Sequence, residues 1–235
     1  MLFRSERYLA VIEETIPFRL LSRQEHVRLI WQIFRGSSQE IDQTACVLID
    51  YLNSKPNFFH WFLDALPRLF AAEAHEQESG QPVYLVVPQS LKAWQWDSLR
   101  FLGVEANRSI IVPSDFSARG CHFQQLVSTF SHRHVRSSPT GHFDAVSPDS
   151  LRQLARRLIL GALSEGEWTN KSNRLYVSRG KVNQRRVVNE DAVMDVLAPH
   201  GFQRVYCEDL SLQHQIQLFS TASHIIAAQI GRAHV

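Results

Sequence analysis

The sequence predicts an α/β protein with two parallel sheets. Short apolar runs of strand length alternate along the chain with segments of helical periodicity, which is typical of β-α-β units. The alternation is interrupted once, near residue 147, and then restarts. We therefore expect two consecutive sheet domains, residues 1–147 and residues 148–229, that face a cleft.

The composition is that of a globular protein without an overall preference for anionic partners. Of 235 residues, 44% are hydrophobic and 20% charged, and the net charge is +2. Disordered and fibrous classes are thereby excluded. Three distant cysteines without a C-x-x-C pair argue against a disulfide framework or a thiolate zinc site. Neither a signal peptide nor a run of the roughly 18 to 20 apolar residues that span a membrane is found, so we expect a cytoplasmic protein.

The first half of the chain contains three predicted strands and two predicted helices. Short apolar runs predict strands at Ala45–Tyr51, Val83–Val87 and Ser109–Val112. Apolar side chains at helical spacing predict helices over Asn57–Glu76 and Leu91–Leu102.

The second half begins with Ser131–Ser147, which is rich in Ser, Pro, Gly and His and is expected to be a connecting loop. Its histidines, His132, His134 and His142, lack the spacing of metal ligands and are expected to be solvent-exposed. An amphipathic helix should follow, to Leu163. Further strands are expected at Arg174–Ser178, Gln203–Cys207 and His224–Ala228, and helices at Glu190–Leu197 and Ser211–Ser220.

The segment from Asn57 holds the first candidate site, because ligands of open α/β sheets bind outside the carboxyl ends of strands. On a helix, His60 and Asp64 share a face, so the carboxylate can orient the imidazole as a general base, or be the base itself. The alternative, which these residues alone favour, is that Asn57 caps the helix and Asp64 satisfies a core histidine. Pro67 is expected to interrupt this helix.

Residues 171–190 form a basic segment, the second candidate site. Six cationic side chains and one acidic side chain give it a net charge of +5. It contains the predicted strand Arg174–Ser178 and the loop that leads from this strand to the next predicted helix. Phosphate groups bind at such a carboxyl edge of a sheet, so Arg179, Arg185 and Arg186 are candidates for a diphosphate site. A solvated charged loop is the alternative. Nucleic acid is less favoured, because Tyr176 is the one aromatic side chain of the segment that could stack on a base.

Glu208 and Ser211 form the third candidate site, between a predicted strand and a predicted helix. A carboxylate at such a crossing can accept ribose hydroxyls, whereas Ser211 can simply be an N-cap, and both roles can hold together. The sequence has no G-x-x-x-x-G-K-[ST], G-x-G-x-x-G or G-x-S-x-G pattern, which disfavours P-loop, dinucleotide-binding and serine-hydrolase functions.

In combination, these segments resemble glycosyltransferase family 61, in the form of a bacterial member of the capsular-polysaccharide type. The resemblance covers roughly residues 45–228, and the ordered set is more specific than any of its motifs. The motifs are Asn57-Phe-Phe-His60-Trp61, Asp64, Leu66-Pro67-Arg68, Tyr176-Val-Ser178-Arg179, Arg185-Arg186, Asn189-Glu190, Gly201-Phe202, Glu208, Leu210-Ser211, Gln215 and Phe219.

The resemblance implies a GT-B-like architecture with an acceptor-side N-terminal domain and a nucleotide-sugar C-terminal domain, both Rossmann-like. It also implies inverting, metal-independent transfer of a hexosyl or pentosyl group from a nucleotide-sugar to a hydroxyl of a glycan or lipid-linked saccharide, without a cofactor. His60 and Asp64 would be catalytic. The donor would bind Ser178, Arg179, Arg185, Arg186, Glu208 and Ser211, and the acceptor would meet Asn57, Trp61 and Arg68.

The last six residues, Ile230–Val235, break the pattern where a strand should pass into a loop and helix. Read back into codons, they resemble the start of a sequencing-library adapter, so we expect a non-native tail and an incomplete second domain. Family members usually continue with a His-Gly-Ala-Gly turn, which does not follow Ala228. A non-catalytic module that binds a nucleotide or sugar phosphate is the alternative function.

Overall fold

A computed structural model of the chain describes residues 39–48, 57–112, 121–127, 133–138, 141–146, 148–166, 173–181 and 186–228. The predicted non-native tail, Ile230–Val235, and the predicted phosphate ligand Arg185 lie outside these residues. The described residues fall in two compact units, which are taken separately below. One lies within residues 1–96 and 104–155, and the other within residues 97–103 and 156–235.

The first unit holds a parallel sheet, in which four described strands follow the order β3-β2-β1-β4. The strands are β1 (Gln39–Val47), β2 (Tyr84–Pro88), β3 (Ser109–Val112) and β4 (Cys121–Val127). This is the order of the first four strands of a Rossmann sheet, and its switch point, where ligands bind, lies at the carboxyl ends of β1 and β4. Ala45 and Val86 form the buried core of the sheet.

Two features of this sheet differ from the sequence prediction. Strand β1 starts six residues before the predicted Ala45, and β4 was not predicted at all. Both depend on pairing, because the polar start of β1 aligns with β4 from Gln39 against Cys121 onward. Thr44 Oγ1 also donates to Gln125 Oε1 across the pair (3.3 Å). A strand whose partner lies about eighty residues away has no local sequence signal when its residues are polar.

The prediction of a loop over Ser131–Ser147 is wrong for the described residues of this segment. These form an antiparallel hairpin of β5 (Arg133–Ser138) and β6 (Gly141–Val146), with Ser138 opposite Gly141. The reason is that backbone hydrogen bonds between β5 and β6 hold these two strands together, and hydrophobic periodicity along the sequence does not reveal such pairing.

The helical segment after β1 changes type three times and is not one regular α-helix. It begins with an α turn, α1 (Phe58–His60), and continues as a π turn (Trp61–Ala65) and a 3₁₀ turn (Leu66–Arg68) before α2 (Leu69–Ser79). The predicted interruption at Pro67 is therefore confirmed. Helix α3 (Ala93–Phe101) follows β2, and a 3₁₀ turn (Ala106–Arg108) precedes β3.

The second unit holds a parallel sheet, whose described strands follow the order β8-β7-β9. The strands are β7 (Arg174–Val177), β8 (Gln203–Val205) and β9 (His224–Ala227), and the helices are α5 (Glu190–Leu197) and α6 (Leu212–Ser220). The chain leaves central strand β7 towards β8 and returns on its other side as β9. The carboxyl end of β7 is therefore the switch point of this sheet.

The two parallel sheets confirm the predicted α/β class and are compatible with a Rossmann-like GT-B type of fold. The domain division at residue 147 stays a prediction. Helix α4 (Pro148–Leu163) contributes its first half to the first unit and its second half to the other.

The second half of α4 packs so closely on the end of α3 that only glycine fits at position 161. A Cβ on Gly161 would lie 2.7 Å from the Cα of Phe101, and Arg157 Nη2 donates to the Leu102 carbonyl (3.0 Å) beside it. Because the clash is with backbone, we expect Gly161→Ala to lower the free energy of unfolding by about 1 to 3 kcal/mol. Thermal melting measures this, with the exposed neighbour Leu160→Ala as control. Equal melting temperatures for both variants would contradict the packing.

Candidate active site

The first candidate site is built on the helical turn that follows β1. Asn57 has an extended backbone, and its Oδ1 accepts hydrogen bonds from the backbone N–H groups of Phe59 (2.9 Å) and His60 (3.4 Å). An Asn at an N-cap satisfies N–H groups that have no partner in the first helical turn. The predicted cap is thus confirmed, while the acceptor-side role of Asn57 stays a prediction.

A π turn lies between His60 and the rest of the helix. The N–H of Leu66 donates to the carbonyl of Trp61, five residues earlier. Pro67 follows directly, and a proline offers no N–H and conflicts with the carbonyl four residues before it, which accounts for the loss of α geometry. Single π turns within helices are frequent at functional sites, and Asp64 lies inside this one.

His60 and Asp64 form a direct pair, as their spacing predicts. His60 Nδ1 and Asp64 Oδ2 are 2.6 Å apart, and the side chains are 17% and 11% exposed, so the pair is shielded from most solvent and still accessible. With Asp64 as a carboxylate, which only accepts hydrogen bonds, the donor of this pair is the Nδ1–H of His60, and in a neutral ring Nε2 then has the lone pair. This is the tautomer that a general base requires.

Arg68 attaches this helical segment to the carboxyl end of β1. Its Nη1 donates to the carbonyl of Val47 (2.9 Å), and the Cys46 thiol lies 3.8 Å from the Arg68 carbonyl. Burial raises the pKa of the Cys46 thiol to about 12, although the Arg68 charge acts in the opposite direction, so the thiol stays protonated. The acceptor-side role of Arg68 stays a prediction, whereas its contact with β1 is structural.

Aromatic rings surround the start of the helix. Trp61 is fully buried, and its ring meets that of Trp94 edge to face (centroids 6.3 Å apart). A buried ring cannot contact an acceptor directly, so Trp61 can affect the acceptor side only by positioning its neighbours. Phe62 stacks on Trp94, whereas Phe58 and Phe59 are about half exposed. The ring of Phe59 meets the His60 imidazole edge to face (centroids 5.4 Å apart). Packing thus fixes the turn that carries His60.

In the second unit, Ser178 follows the carboxyl end of β7. It is 2% exposed, its Oγ donates to Glu190 Oε2 (2.7 Å), and it accepts from the N–H of Gly180 (2.9 Å). The Ser178 hydroxyl thus has two partners within the chain. Its donor-binding role stays a prediction. Glu190 was not among the predicted site residues. Its signal was a lone acid that ends a basic segment and starts a helix.

Arg179 lies between Ser178 and Gly180, at the switch point of the second sheet. Its Nε is buried, and no hydrogen-bond partner for it occurs among the described residues. A buried guanidinium N–H without an acceptor is costly unless a ligand supplies one. Arg186 is exposed at the other end of the segment, and Arg185 lies outside the described residues.

Other cations of the basic segment are engaged within the protein. Lys181 forms an ion pair with Asp209 and lies over the ring of Tyr206 (4.8 Å). Arg174, at the amino end of β7, donates to the His200 carbonyl (2.8 Å). The net charge of the sequence segment therefore overstates the charge available to a ligand, and the structure singles out Arg179.

The third predicted site is partly structural. Ser211 is the N-cap of α6 and accepts from the N–H of His214 (3.2 Å), which confirms the simpler of its two predicted roles. Glu208 is exposed in a 3₁₀ turn, Cys207–Asp209, and not at the end of a strand, because β8 already ends at Val205. Their roles towards a donor stay predictions.

Within the described ranges, no three His, Cys, Asp or Glu side chains are grouped as metal ligands would be. Of the predicted exposed histidines, His134 and His142 belong to β5 and β6, and His132 lies outside the described residues.

Comparison with known proteins identifies the family. A family model described as Glycosyltransferase 61 matches residues 58–229, which is most of the chain. The chain belongs to glycosyltransferase family 61. No curated protein matches it significantly. The family 61 match begins at the first residue of α1, so it includes His60, Asp64 and the turn that carries Arg179.

Membership of family 61 makes this chain a glycosyltransferase, with a sugar donor and an acceptor as substrates. In the part of the chain that the structure describes, no helix combines the length and the apolarity needed to cross a membrane.

Proposed function

We propose that this family 61 member is an inverting, metal-independent glycosyltransferase. It moves a hexosyl or pentosyl group from a nucleotide-sugar to a hydroxyl of a glycan or lipid-linked precursor in bacterial polysaccharide synthesis. The observation that carries the proposal is the 2.6 Å pair of His60 and Asp64 on a π turn after the central strand of the first sheet. The nucleotide-sugar is a substrate, and no cofactor takes part.

In this proposal His60 is the general base. Its Nε2 takes the proton of the acceptor hydroxyl while the hydroxyl oxygen bonds to the anomeric carbon. The bond from that carbon to the phosphate oxygen breaks, and the diphosphate leaves with the electron pair. Attack from the face opposite the leaving group inverts the anomeric centre. Asp64 orients the imidazole and stabilises the imidazolium that forms.

Arg179, Arg185 and Arg186 stabilise the charge that develops on the leaving diphosphate. Guanidinium groups offer paired N–H donors that match phosphate oxygens. The buried Nε of Arg179, at the carboxyl end of β7, supports its place in this set. Glu208 is proposed to accept the ribose hydroxyls. Ser178 and Ser211, each at a strand-to-helix crossing, are proposed to contact the donor as well.

Because arginine side chains, and not a metal ion, are proposed to neutralise the diphosphate, sugar transfer is expected to persist after metal ions are chelated. The measurement is the rate of donor hydrolysis or sugar transfer after dialysis against EDTA, with and without added manganese. We expect the rates to agree within about twofold, which is a difference in barrier below 0.5 kcal/mol. A signal that EDTA abolishes and manganese restores would overturn the metal-independent mechanism.

The alternative is a module that binds a nucleotide or sugar phosphate through Arg179 without turnover. Loss of His60 would leave such a protein unaffected.

We further propose a cytoplasmic location, where a lipid-linked acceptor would bring the enzyme to the surface of the inner membrane. Cell fractionation distinguishes a peripheral from a fully soluble protein.

A further inference from the structure

A carboxylate at the start of α5 is hydrogen-bonded to two side chains of β7 and its turn. Glu190 Oε1 accepts from the hydroxyl of Tyr176 (3.1 Å), and Oε2 accepts from Ser178 Oγ (2.7 Å). Tyr176 and Ser178 are 3% and 2% exposed, so both hydroxyls depend on protein partners. Burial, and then the hydrogen bond and charge of Glu190, raise the pKa of Tyr176, so its hydroxyl remains a donor.

The hydrogen bonds continue into the backbone of the turn. Ser178 Oγ accepts from the N–H of Gly180 (2.9 Å), and a Cβ on Gly180 would lie only 3.1 Å from Glu190 Oε2. The N–H of Ser178 is itself held by the carbonyl of Val205 on β8 (2.9 Å). The residues on both sides of Arg179 are therefore fixed, directly or through Ser178, by the Glu190 carboxylate.

The negative charge of the Glu190 carboxylate has the wrong sign for a phosphate site. A carboxylate near a diphosphate repels it, so charge alone predicts that removal of Glu190 strengthens binding. The position of Glu190 near the proposed phosphate site is explained if its effect on the geometry of the turn outweighs the repulsion between its carboxylate and the diphosphate. A negative group also suits the N-terminal turn of α5.

We propose that Glu190 is a positioning residue of the donor site, which holds the Ser178–Gly180 turn in the one conformation that presents the Arg179 guanidinium to a nucleotide diphosphate. This inference rests on the proposed function of Arg179. Glu190 does not contact the diphosphate in this scheme; it acts through Ser178 and the backbone of the turn.

The test is calorimetric titration of the full chain with uridine diphosphate and guanosine diphosphate. We expect Glu190→Ala to weaken binding about tenfold to a hundredfold, the value of one or two hydrogen bonds to a charged group. Glu190→Gln removes the charge but keeps an acceptor for Ser178, so it should bind within a few-fold of the wild type. Asp195→Ala, an exposed acid on the same helix, is the matched control and should not weaken binding.

A double-mutant cycle separates positioning from general stability. If Glu190 acts through Arg179, adding Glu190→Ala to Arg179→Ala should cause no further loss of affinity. Additive losses, or Glu190→Ala binding as tightly as the wild type, would overturn the inference. Should Glu190→Ala fail to fold, Ser178→Ala breaks the same connection, and wild-type affinity in that variant would also overturn it. No effect of Arg179→Ala itself would instead reject the proposed donor site.

Discussion

Replacing His60 with alanine is expected to lower the rate of sugar transfer about a hundredfold to ten-thousandfold while the fold is retained. The imidazole is paired with Asp64 at 2.6 Å and is partly exposed, so it can exchange a proton with an acceptor. Donor affinity should change little, because the proposed diphosphate ligands lie in the second unit. The measurements are transfer rate, nucleotide affinity and melting temperature of the full chain.

The competing role for His60 is structural, and it predicts a different pattern. A histidine that only satisfies Asp64 in the core should cost about 1 to 3 kcal/mol of stability when removed, with activity lost only as the fold is lost. A His60→Ala protein that melts early and keeps its specific activity would therefore reject the general base. His75→Ala, on α2 of the same helical segment, is the matched control for loss of a histidine.

One further variant and one rescue experiment distinguish His60 from Asp64 as the base. Asp64→Asn keeps the shape of the side chain, but its amide can donate to Nδ1 and so stabilise the wrong tautomer, and transfer should fall by orders of magnitude. Added imidazole should partly restore transfer by His60→Ala if a ring nitrogen takes the proton. If imidazole has no effect and Asp64→Asn is the more damaging change, Asp64 is the base.

Replacing Arg179 with alanine should weaken the binding of uridine and guanosine diphosphates about tenfold to a hundredfold, because charge-assisted hydrogen bonds contribute about 1.5 to 3 kcal/mol. Arg179→Lys keeps the charge but not the paired donors, so it should recover only part of the affinity. The Arg185 and Arg186 pair, replaced together, should weaken binding as well.

The control for Arg179 is Arg174→Ala. It makes the same change in net charge at the opposite, amino end of β7, where the guanidinium donates to the His200 carbonyl. Equal losses for both variants would show a nonspecific effect of charge. Unchanged affinity for Arg179→Ala in a folded protein would remove its phosphate role and leave the diphosphate site unassigned.

Periodicity and capping predicted much of the local structure. Helix Glu190–Leu197 lies within the predicted bounds, strand Ser109–Val112 is as predicted, and the interruption at Pro67 follows from its missing N–H. The contact of His60 with Asp64 was also predictable, because residues four apart in a helical segment are neighbours whatever the helix packs against.

The sequence by itself thus determined the α/β class, the family and the candidate base, because these depend on short-range spacing and ordered motifs. Only the tertiary structure decided which polar groups far apart in the sequence meet. It paired Lys181 with Asp209, and it placed Glu190 on Ser178. Among the described cations of the basic segment, this leaves Arg179 with a buried Nε that has no partner in the described part of the chain. The physical reason is that such partners lie 12 to 28 residues apart and are brought together by strand order and by the turns after β7 and β8.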